Sequence, residues 1–277
     1  MTIVLIIPKQ IVGGKGKPNS DSEEYSEVEP PNIHFDIKYA IIELLNYMKR
    51  PQFETGEIYH IYNRGVEKRK IFLKDEDYFR FIHDLFEFND IIPAGKFFIF
   101  GGGTSEYVGT EKRKRELLVE ILAFCLMPNH YHLLLRQLQN NGITKFMKKL
   151  DTGYAMYFNK INKRVGPLFQ GIFKAVLIDK QAQFYHIPYY IHLNPLELIM
   201  PNWKEEGIKD FQKAEQFLES YRWSSHLDYI GKKNFPSVIS DKFLNEVWGG
   251  SQKHKSDFKN WLKDFNIDNI REEIIEK

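Results

Sequence analysis

The alternation of hydrophobic and polar positions in residues 120–135 predicts a β-hairpin. Two apolar runs flank Pro128-Asn129, a dipeptide typical of turns because proline presets φ and asparagine tolerates the left-handed region. The second run is short and bounded, as strands are. Since side chains alternate across a strand, His130 and His132 share one face, whereas Tyr131 lies on the other.

Other periodic segments predict the remaining elements. In chain order we expect a strand at 57–62, a helix at 75–89 with Asp75 as N-cap, the two hairpin strands, a helix at 143–162 and a strand at 173–178. The order strand, helix, strand, strand, helix, strand is that of the split βαβ, ferredoxin-like fold. We therefore expect an α+β protein whose antiparallel sheet carries both helices on one face. The two histidines would need to lie on the other, open face.

Local composition suggests three regions. Residues 1–55 are predicted to be an N-terminal extension, partly flexible because residues 13–31 are rich in glycine, proline, serine and acids. Residues 56–231 form the predicted main domain, and residues 232–277 a helical tail. Within the domain, residues 91–116 form an irregular insertion.

Overall composition narrows the class of protein. A hydrophobic content of 43% is ample for a core, and the single cysteine excludes a disulfide framework. The N-terminal apolar run Ile3–Ile7 stops at Pro8, too short for a membrane span or a signal sequence. We therefore expect a cytoplasmic protein with no membrane partner.

The net charge of +2 hides a strong polarity along the chain. Residues 19–36 contain six acids and no lysine or arginine, whereas residues 145–180 contain eight bases against two acids. Such a basic block, interleaved with aromatics, suits a nucleic-acid backbone, although a solvated helix face is an equal alternative on charge alone. The candidate phosphate contacts are Lys148, Lys149, Lys163, Arg164 and Arg64, the last of which could equally pair with a carboxylate.

Candidate chemistry gathers at two places. A lone strand histidine is usually an ordinary surface or core residue, but two imidazoles about 7 Å apart on one strand face can converge on a metal ion. A helix through residues 182–195 would align Tyr190 and Asn194 on one face. Pro195 disfavours the helical region at Asn194, which therefore sits at the helix end with its side-chain oxygen free. The alternative is that Tyr190 is a packed aromatic and Asn194 a C-terminal cap.

Pro188 interrupts this helix two residues before Tyr190. A proline inside a helix removes a hydrogen bond and clashes one turn back, but it is favoured at a helix start. We expect the helix to begin near Pro188, which keeps Tyr190 and Asn194 together. His186 would then leave the shared face, so we do not count it as a ligand.

Five blocks in one order carry a family resemblance. They are GEIYHIYNRG at 56–65, MPNHYHLL at 127–134, GPLFQG at 166–171, YIHLNP at 190–195 and YRWSS at 221–225. Each block alone is weak, but together they closely resemble the HUH single-tyrosine transposases of single-stranded DNA, in particular the REP-associated tyrosine transposases. The resemblance covers roughly residues 56–231, which would then be the catalytic domain.

The resemblance implies a mechanism and a site. His130, His132 and Asn194 match the metal ligands, and Tyr190 matches the nucleophile that forms a 5′-phosphotyrosine link and frees a 3′-hydroxyl. Tyr189 is the rival, since a small helix rotation would exchange the two. The ligand set fits Mg²⁺ or Mn²⁺, with no small-molecule cofactor.

The implied activity is that of a single-stranded DNA nickase and strand transferase. The implied partner is single-stranded, hairpin-bearing DNA, bound by a monomer or a homodimer. The alternative is a domesticated, non-cleaving protein that binds structured single-stranded DNA or RNA. A metal phosphohydrolase would need a carboxylate base beside the histidines, and the sequence offers none.

Overall fold

The structure, a computed structural model, describes residues 51–92 and 115–263, which belong to one compact unit. Nearly all of the predicted extension at 1–55 and of the predicted insertion at 91–116 lies outside these ranges. Residues 264–277 of the predicted tail also lie outside them. The proposed division of the chain at residues 55 and 231 stays a prediction.

Four antiparallel strands form the sheet. They are β1 (Ile58–Arg64), β2 (Val119–Met127), β3 (His130–Gln137) and β4 (Lys174–Leu177), in the order β2-β3-β1-β4. This order, with one helix after β1 and one after β3, confirms the predicted ferredoxin-like α+β fold. The register of β1 on β3 places Tyr62 opposite His132 and Arg64 opposite His130.

Eight α-helices lie within the described residues. They are α1 (Asp75–Glu87), α2 (Gly142–Ile161), α3 (Gln181–Leu193), α4 (Trp203–Glu206), α5 (Phe211–Leu218), α6 (His226–Tyr229), α7 (Asp241–Trp248) and α8 (Ser251–Lys263), with 3₁₀ turns at Val66–Lys68 and Asn194–Leu198. In this part of the chain, every helix is too short or too polar to cross a membrane.

Helices α1 and α2 pack on one face of the sheet, as predicted. Tyr131 of β3 points to this layer, where its hydroxyl donates to Asp151 Oδ1 of α2 at 2.6 Å and its ring lies 5.0 Å from that of Phe81 in α1. The N-cap of α1 is Lys74 and not Asp75 as predicted. The reason is Asp77, whose carboxylate accepts the backbone N–H of Lys74 and so closes the first turn one residue earlier.

The opposite face of the sheet is covered, not open. Helix α3 packs there against β2 and β3, and Tyr190 is fully buried. Helices α7 and α8 pack in turn on α3, where Tyr189 stacks on Trp248 at 5.4 Å and lies 5.2 Å from Trp261. The expected helix that carries Tyr190 is therefore sandwiched between the sheet and the C-terminal helices.

Helix α3 runs without a break through Pro188, so the predicted restart at Pro188 is wrong. Proline cannot donate to the carbonyl of Phe184 one turn earlier. Tertiary contacts hold the first turns instead, because Trp261 Nε1 donates to His186 Nδ1 at 2.8 Å. His186 therefore faces α8, which agrees with leaving it out of the ligand set.

Asn89 provides a test of how the sheet is joined to α1. Its amide donates to Val119 O and accepts from the N–H groups of Leu118 and Val119, all within 3.1 Å. Asn89→Ala leaves three buried backbone groups unpaired and should lower the free energy of unfolding by about 2–4 kcal/mol. Asn140→Ala, at an exposed position, should change it by less than about 0.5 kcal/mol. Equal urea midpoints for the two variants would contradict this account.

Candidate active site

His130 and His132 lie on the sheet face that α3 covers. Their ring centroids are 5.0 Å apart with nearly perpendicular planes, and both side chains are buried. His130 is the first residue of β3, and its Nδ1 donates to Asn129 Oδ1 of the turn at 2.6 Å. This hydrogen bond fixes the ring and leaves the lone pair on Nε2.

His60 of β1 holds His132 in place. His60 Nε2 lies 2.9 Å from His132 Nδ1, and the two rings stack at 5.2 Å. When His132 donates in this bond, its Nε2 carries the lone pair and can bind a metal. We did not predict a role for His60. The sequence signal for this role was the alternation of side chains along β1, which places His60 and Tyr62 on one face. In the sheet, Tyr62 lies opposite His132.

The environment keeps His132 uncharged. Complete burial lowers its pKa well below the ordinary range, and His60, Lys204 and Arg64 lower it further through like-charge repulsion. A neutral imidazole is the form that binds metal ions. The surroundings of His132 therefore favour the neutral imidazole, which can bind a metal ion, over the imidazolium.

Tyr190 is the tyrosine of α3 that lies at the histidines. Its ring centroid is 6.0 Å from that of His132 and 6.3 Å from that of His60. Tyr189 points away from the sheet into the C-terminal helices, where burial raises the pKa of its hydroxyl. Of the two candidates left open by the sequence, the geometry places only Tyr190 beside the paired histidines.

Asn194 ends the helix and also presents an oxygen. Helix α3 stops at Leu193, and Pro195 opens the 3₁₀ turn that follows. Asn194 Nδ2 donates to the carbonyl of Tyr190 at 3.0 Å, a C-terminal cap. Its Oδ1 is buried and has no hydrogen-bond partner among the described residues. The C-terminal cap and the available oxygen were predicted as alternatives for Asn194. In the structure one amide provides both, because Nδ2 caps the helix and Oδ1 has no partner among the described residues.

The structure places some candidate phosphate contacts near the histidines and others away from them. Arg64 ends β1 opposite His130 and makes no ion pair with any described residue. Lys148 is exposed on α2, behind the sheet as viewed from the histidines. Lys149 Nζ donates to the carbonyl of Asp90 at 2.7 Å.

Lys163 and Arg164 begin the loop after α2. Lys163 is exposed with φ of 50°. Arg164 donates to Asn159 Oδ1 and to the carbonyl of Pro167 at 2.6 and 2.7 Å, so it braces this loop. The loop returns to the histidine end of β1, where Phe169 bridges to Gly65. Lys163 is therefore the exposed cation of this loop.

Lys204 and Trp203 cover Tyr190 from α4. Lys204 Nζ lies 5.2 Å above the Tyr190 ring and 3.8 Å from Glu197, and the Trp203 ring is 6.4 Å from that of Tyr190. We did not predict either residue. This short helix lies between the motif blocks at 190–195 and 221–225, and nothing in the sequence signals such a contact.

The depressed pKa of His132 predicts a pH dependence. A histidine has a pKa of about 6.5 in the unfolded chain, so the stabilisation by neutral His132 is complete above pH 6.5 and is lost as the pH falls toward the folded-state value. In metal-free buffer, the unfolding free energy of the wild type minus that of His132→Gln should be constant above pH 7. Below pH 6.5 it should fall by up to about 1.4 kcal/mol per pH unit. A difference that is constant down to pH 5 would contradict the shift.

Two comparisons with known proteins bear on this site. Residues 108–194 match the family described as "Transposase IS200 like". A solved structure described as "Structure of the REP associates tyrosine transposase bound to a REP hairpin" is similar over 69% of this chain and 90% of that chain, with a TM-score of 0.40 and 13% sequence identity. No curated protein matches the chain.

The matched segment carries β2, β3, α2, β4 and α3, and it ends at Asn194. It therefore includes both histidines of β3 and Tyr190. Over this segment, the chain is similar to the family of IS200-like transposases.

Proposed function

We propose that the protein is a metal-dependent nickase and strand transferase that acts on hairpin-bearing single-stranded DNA through a 5′-phosphotyrosine intermediate. The observation that carries this proposal is the position of Tyr190, whose ring lies 6.0 Å from that of His132 on the shared face of sheet and helix. The choice of DNA rests on the family of the segment and on the five motif blocks.

His130, His132 and Asn194 are the proposed metal ligands. The donor set fits a divalent ion, because Asn194 Oδ1 is a buried acceptor that no described group satisfies. Two neutral imidazoles and one amide oxygen leave coordination positions for phosphate oxygens and water, which suits Mg²⁺ or Mn²⁺. A bound ion would withdraw charge from the scissile phosphate and orient it, contributing several kcal/mol.

Tyr190 supplies the nucleophile. Its phenol oxygen forms a bond to phosphorus while the bond from phosphorus to the 3′ oxygen breaks. The phenol loses its proton and the departing 3′ oxygen gains one, so the charges balance. A phenol with a pKa of about 10 is a weak nucleophile at pH 7. Its placement by the buried helix α3 therefore matters, because a fixed geometry lowers the entropic barrier to attack.

The cations at the histidine face are the first candidates for phosphate contacts. Arg64 lies opposite His130, Lys174 of β4 lies 5.8 Å above the ring of Tyr62, and Lys204 lies above Tyr190. Lys149, by contrast, donates to the carbonyl of Asp90, and Arg164 donates to Asn159 Oδ1 and to the carbonyl of Pro167. We therefore propose that the DNA strand passes along the end of β1 at Arg64. Lys163 and Lys148 would then be more distant contacts.

One observation favours a second candidate function. Tyr190 is 0% exposed in this structure, and a DNA phosphate cannot reach a phenol that Trp203 and Lys204 cover. A non-cleaving protein that binds structured single-stranded DNA or RNA would need no access to Tyr190. Cleavage requires that α4 move away from Tyr190. Formation of a covalent protein–DNA adduct therefore distinguishes the two functions.

The first experiment tests the nucleophile. Wild-type protein, incubated with labelled hairpin-bearing single strands and Mn²⁺, should give a covalent adduct on a denaturing gel. Tyr190→Phe removes one oxygen and should abolish the adduct while DNA affinity stays within about twofold, since the ring and its packing remain. Tyr189→Phe is the matched control and should keep the adduct. An adduct that survives in Tyr190→Phe excludes this nucleophile, and tight binding without adduct in the wild type supports the non-cleaving function.

The second experiment tests how His60 positions His132. Partners that orient a metal-bound histidine typically contribute 10- to 100-fold in metal affinity. In His60→Gln, the Mn²⁺ concentration that gives half-maximal adduct should rise by about 10- to 100-fold, and saturating Mn²⁺ should restore most of the rate. His83→Gln, on the surface of α1, should leave the Mn²⁺ dependence unchanged. A lower rate at unchanged Mn²⁺ dependence would show that His60 does not act through the metal ligand.

A further inference from the structure

A second group of histidines lies on the side of α3 that faces away from Tyr190. His192 of α3, His226 of α6 and His254 of α8 are all buried, and one ring nitrogen from each lies within 4.8 Å of the others. Positions 190 and 194 are each two residues from 192, or about 200° around a helix. The group is therefore separate from the ligand set proposed above.

The ring nitrogens of this group lack hydrogen bonds. His192 Nδ1, His226 Nδ1 and both nitrogens of His254 have no partner among the described residues. A buried polar group without a partner is destabilising by about 1–3 kcal/mol, and such groups are rare in native proteins. One bound ion that takes a lone pair from each ring would satisfy one nitrogen of each histidine.

The hydrogen bonds of Ser225 determine which nitrogen His192 offers. Ser225 Oγ donates to the carbonyl of Phe124 and accepts the N–H of the same residue. With that proton directed at Phe124 O, His192 Nε2, at 2.9 Å, is the donor to Ser225 Oγ. The lone pair of His192 is then on Nδ1, which is buried without a hydrogen-bond partner among the described residues. Such an outer hydrogen bond is the usual way to orient a metal-binding histidine.

Packing alone does not account for three imidazoles here. His254 stacks on Trp248 at 4.1 Å and on Tyr189 at 5.3 Å, contacts that a phenylalanine would make without buried nitrogens. The three histidines also make no hydrogen bonds with one another. Burial lowers the pKa of His226 to about 3 and that of His254 to about 4.

We propose that His192, His226 and His254 bind one zinc ion that ties α3 to the C-terminal helices. Three imidazoles with no carboxylate favour Zn²⁺ over Mg²⁺ or Mn²⁺, and a water molecule completes a tetrahedral set. Zinc–nitrogen bonds of about 2.0–2.1 Å place the nitrogens about 3.3 Å apart. The present distances between the nitrogens, up to 4.8 Å, would need to shorten by about 1.5 Å at most.

The proposal predicts zinc in the full-length protein. Protein purified without an affinity tag from zinc-supplemented culture should hold about one zinc per chain after dialysis, measured by elemental mass spectrometry. Zinc at hundredfold excess over its Kd should raise the melting temperature of the stripped protein by about 5–10 °C. Absence of zinc together with an unchanged melting temperature overturns the site.

Substitutions locate the ion. His254→Leu should lose both the zinc and the zinc-dependent rise in melting temperature, whereas His83→Leu keeps both. The double variant His130→Leu/His132→Leu should also retain zinc, which separates this site from the proposed catalytic one. Zinc retained by His254→Leu but lost by the double variant overturns the assignment.

One measurement on the wild type covers the case in which His254→Leu does not fold. Co²⁺ in a tetrahedral three-histidine site absorbs visible light far more strongly than octahedral Co²⁺. The stripped wild-type protein should develop this absorption with one equivalent of Co²⁺ and lose it when Zn²⁺ is added. A weak, octahedral spectrum overturns the proposal.

Discussion

The alternation of side chains along β3 is the constraint on which the rest of the site depends. Tyr131 is anchored behind the sheet, where Asp151 accepts from its hydroxyl at 2.6 Å and also from Asn63 of β1 at 3.1 Å. Because neighbours on a strand point to opposite faces, this anchor directs His130 and His132 toward α3. A shift of one residue would turn both imidazoles into the layer of α1 and α2 and leave the Asp151 carboxylate without the tyrosine. The contact behind the sheet therefore sets the geometry in front of it.

Local periodicity was enough to predict the fold and the two halves of the candidate site. Strands and helices have different periods, so their order could be read from the sequence, and with it the sheet. The spacing from Tyr190 to Asn194 also needed only local geometry. The prediction that failed, a helix start near Pro188, also rested on a local rule. Pro188 weakens α3 by about 3 kcal/mol, but Ile187 and Ile191 are fully buried around it, and burial of each contributes about 1.5–3 kcal/mol. Tertiary packing offsets the proline, and the helix continues.

Contacts between distant segments could not be predicted in this way. His60 and His132 are 72 residues apart, and His192 meets Ser225 across 33 residues. Alternation along a strand gives the face on which a side chain such as His60 lies, but no periodicity gives its partner in a distant segment. The same limit affects charge. A count of bases treats Lys149 as available to DNA, whereas the folded chain uses it to bind a backbone carbonyl, a partner that no pattern of side chains reveals.

The burial of α3 on both sides decides how Tyr190 can become accessible. Residues 187–196 are all buried, so moving the helix would expose several large side chains and break the hydrogen bond of His192 to Ser225. Moving α4 exposes one large buried side chain, Trp203, and breaks the partly exposed ion pair of Lys204 with Glu197, worth about 1 kcal/mol or less. Movement of α4 therefore costs less free energy than movement of α3. It also keeps Tyr190 fixed relative to the histidines while the phosphate enters, so access and alignment do not compete.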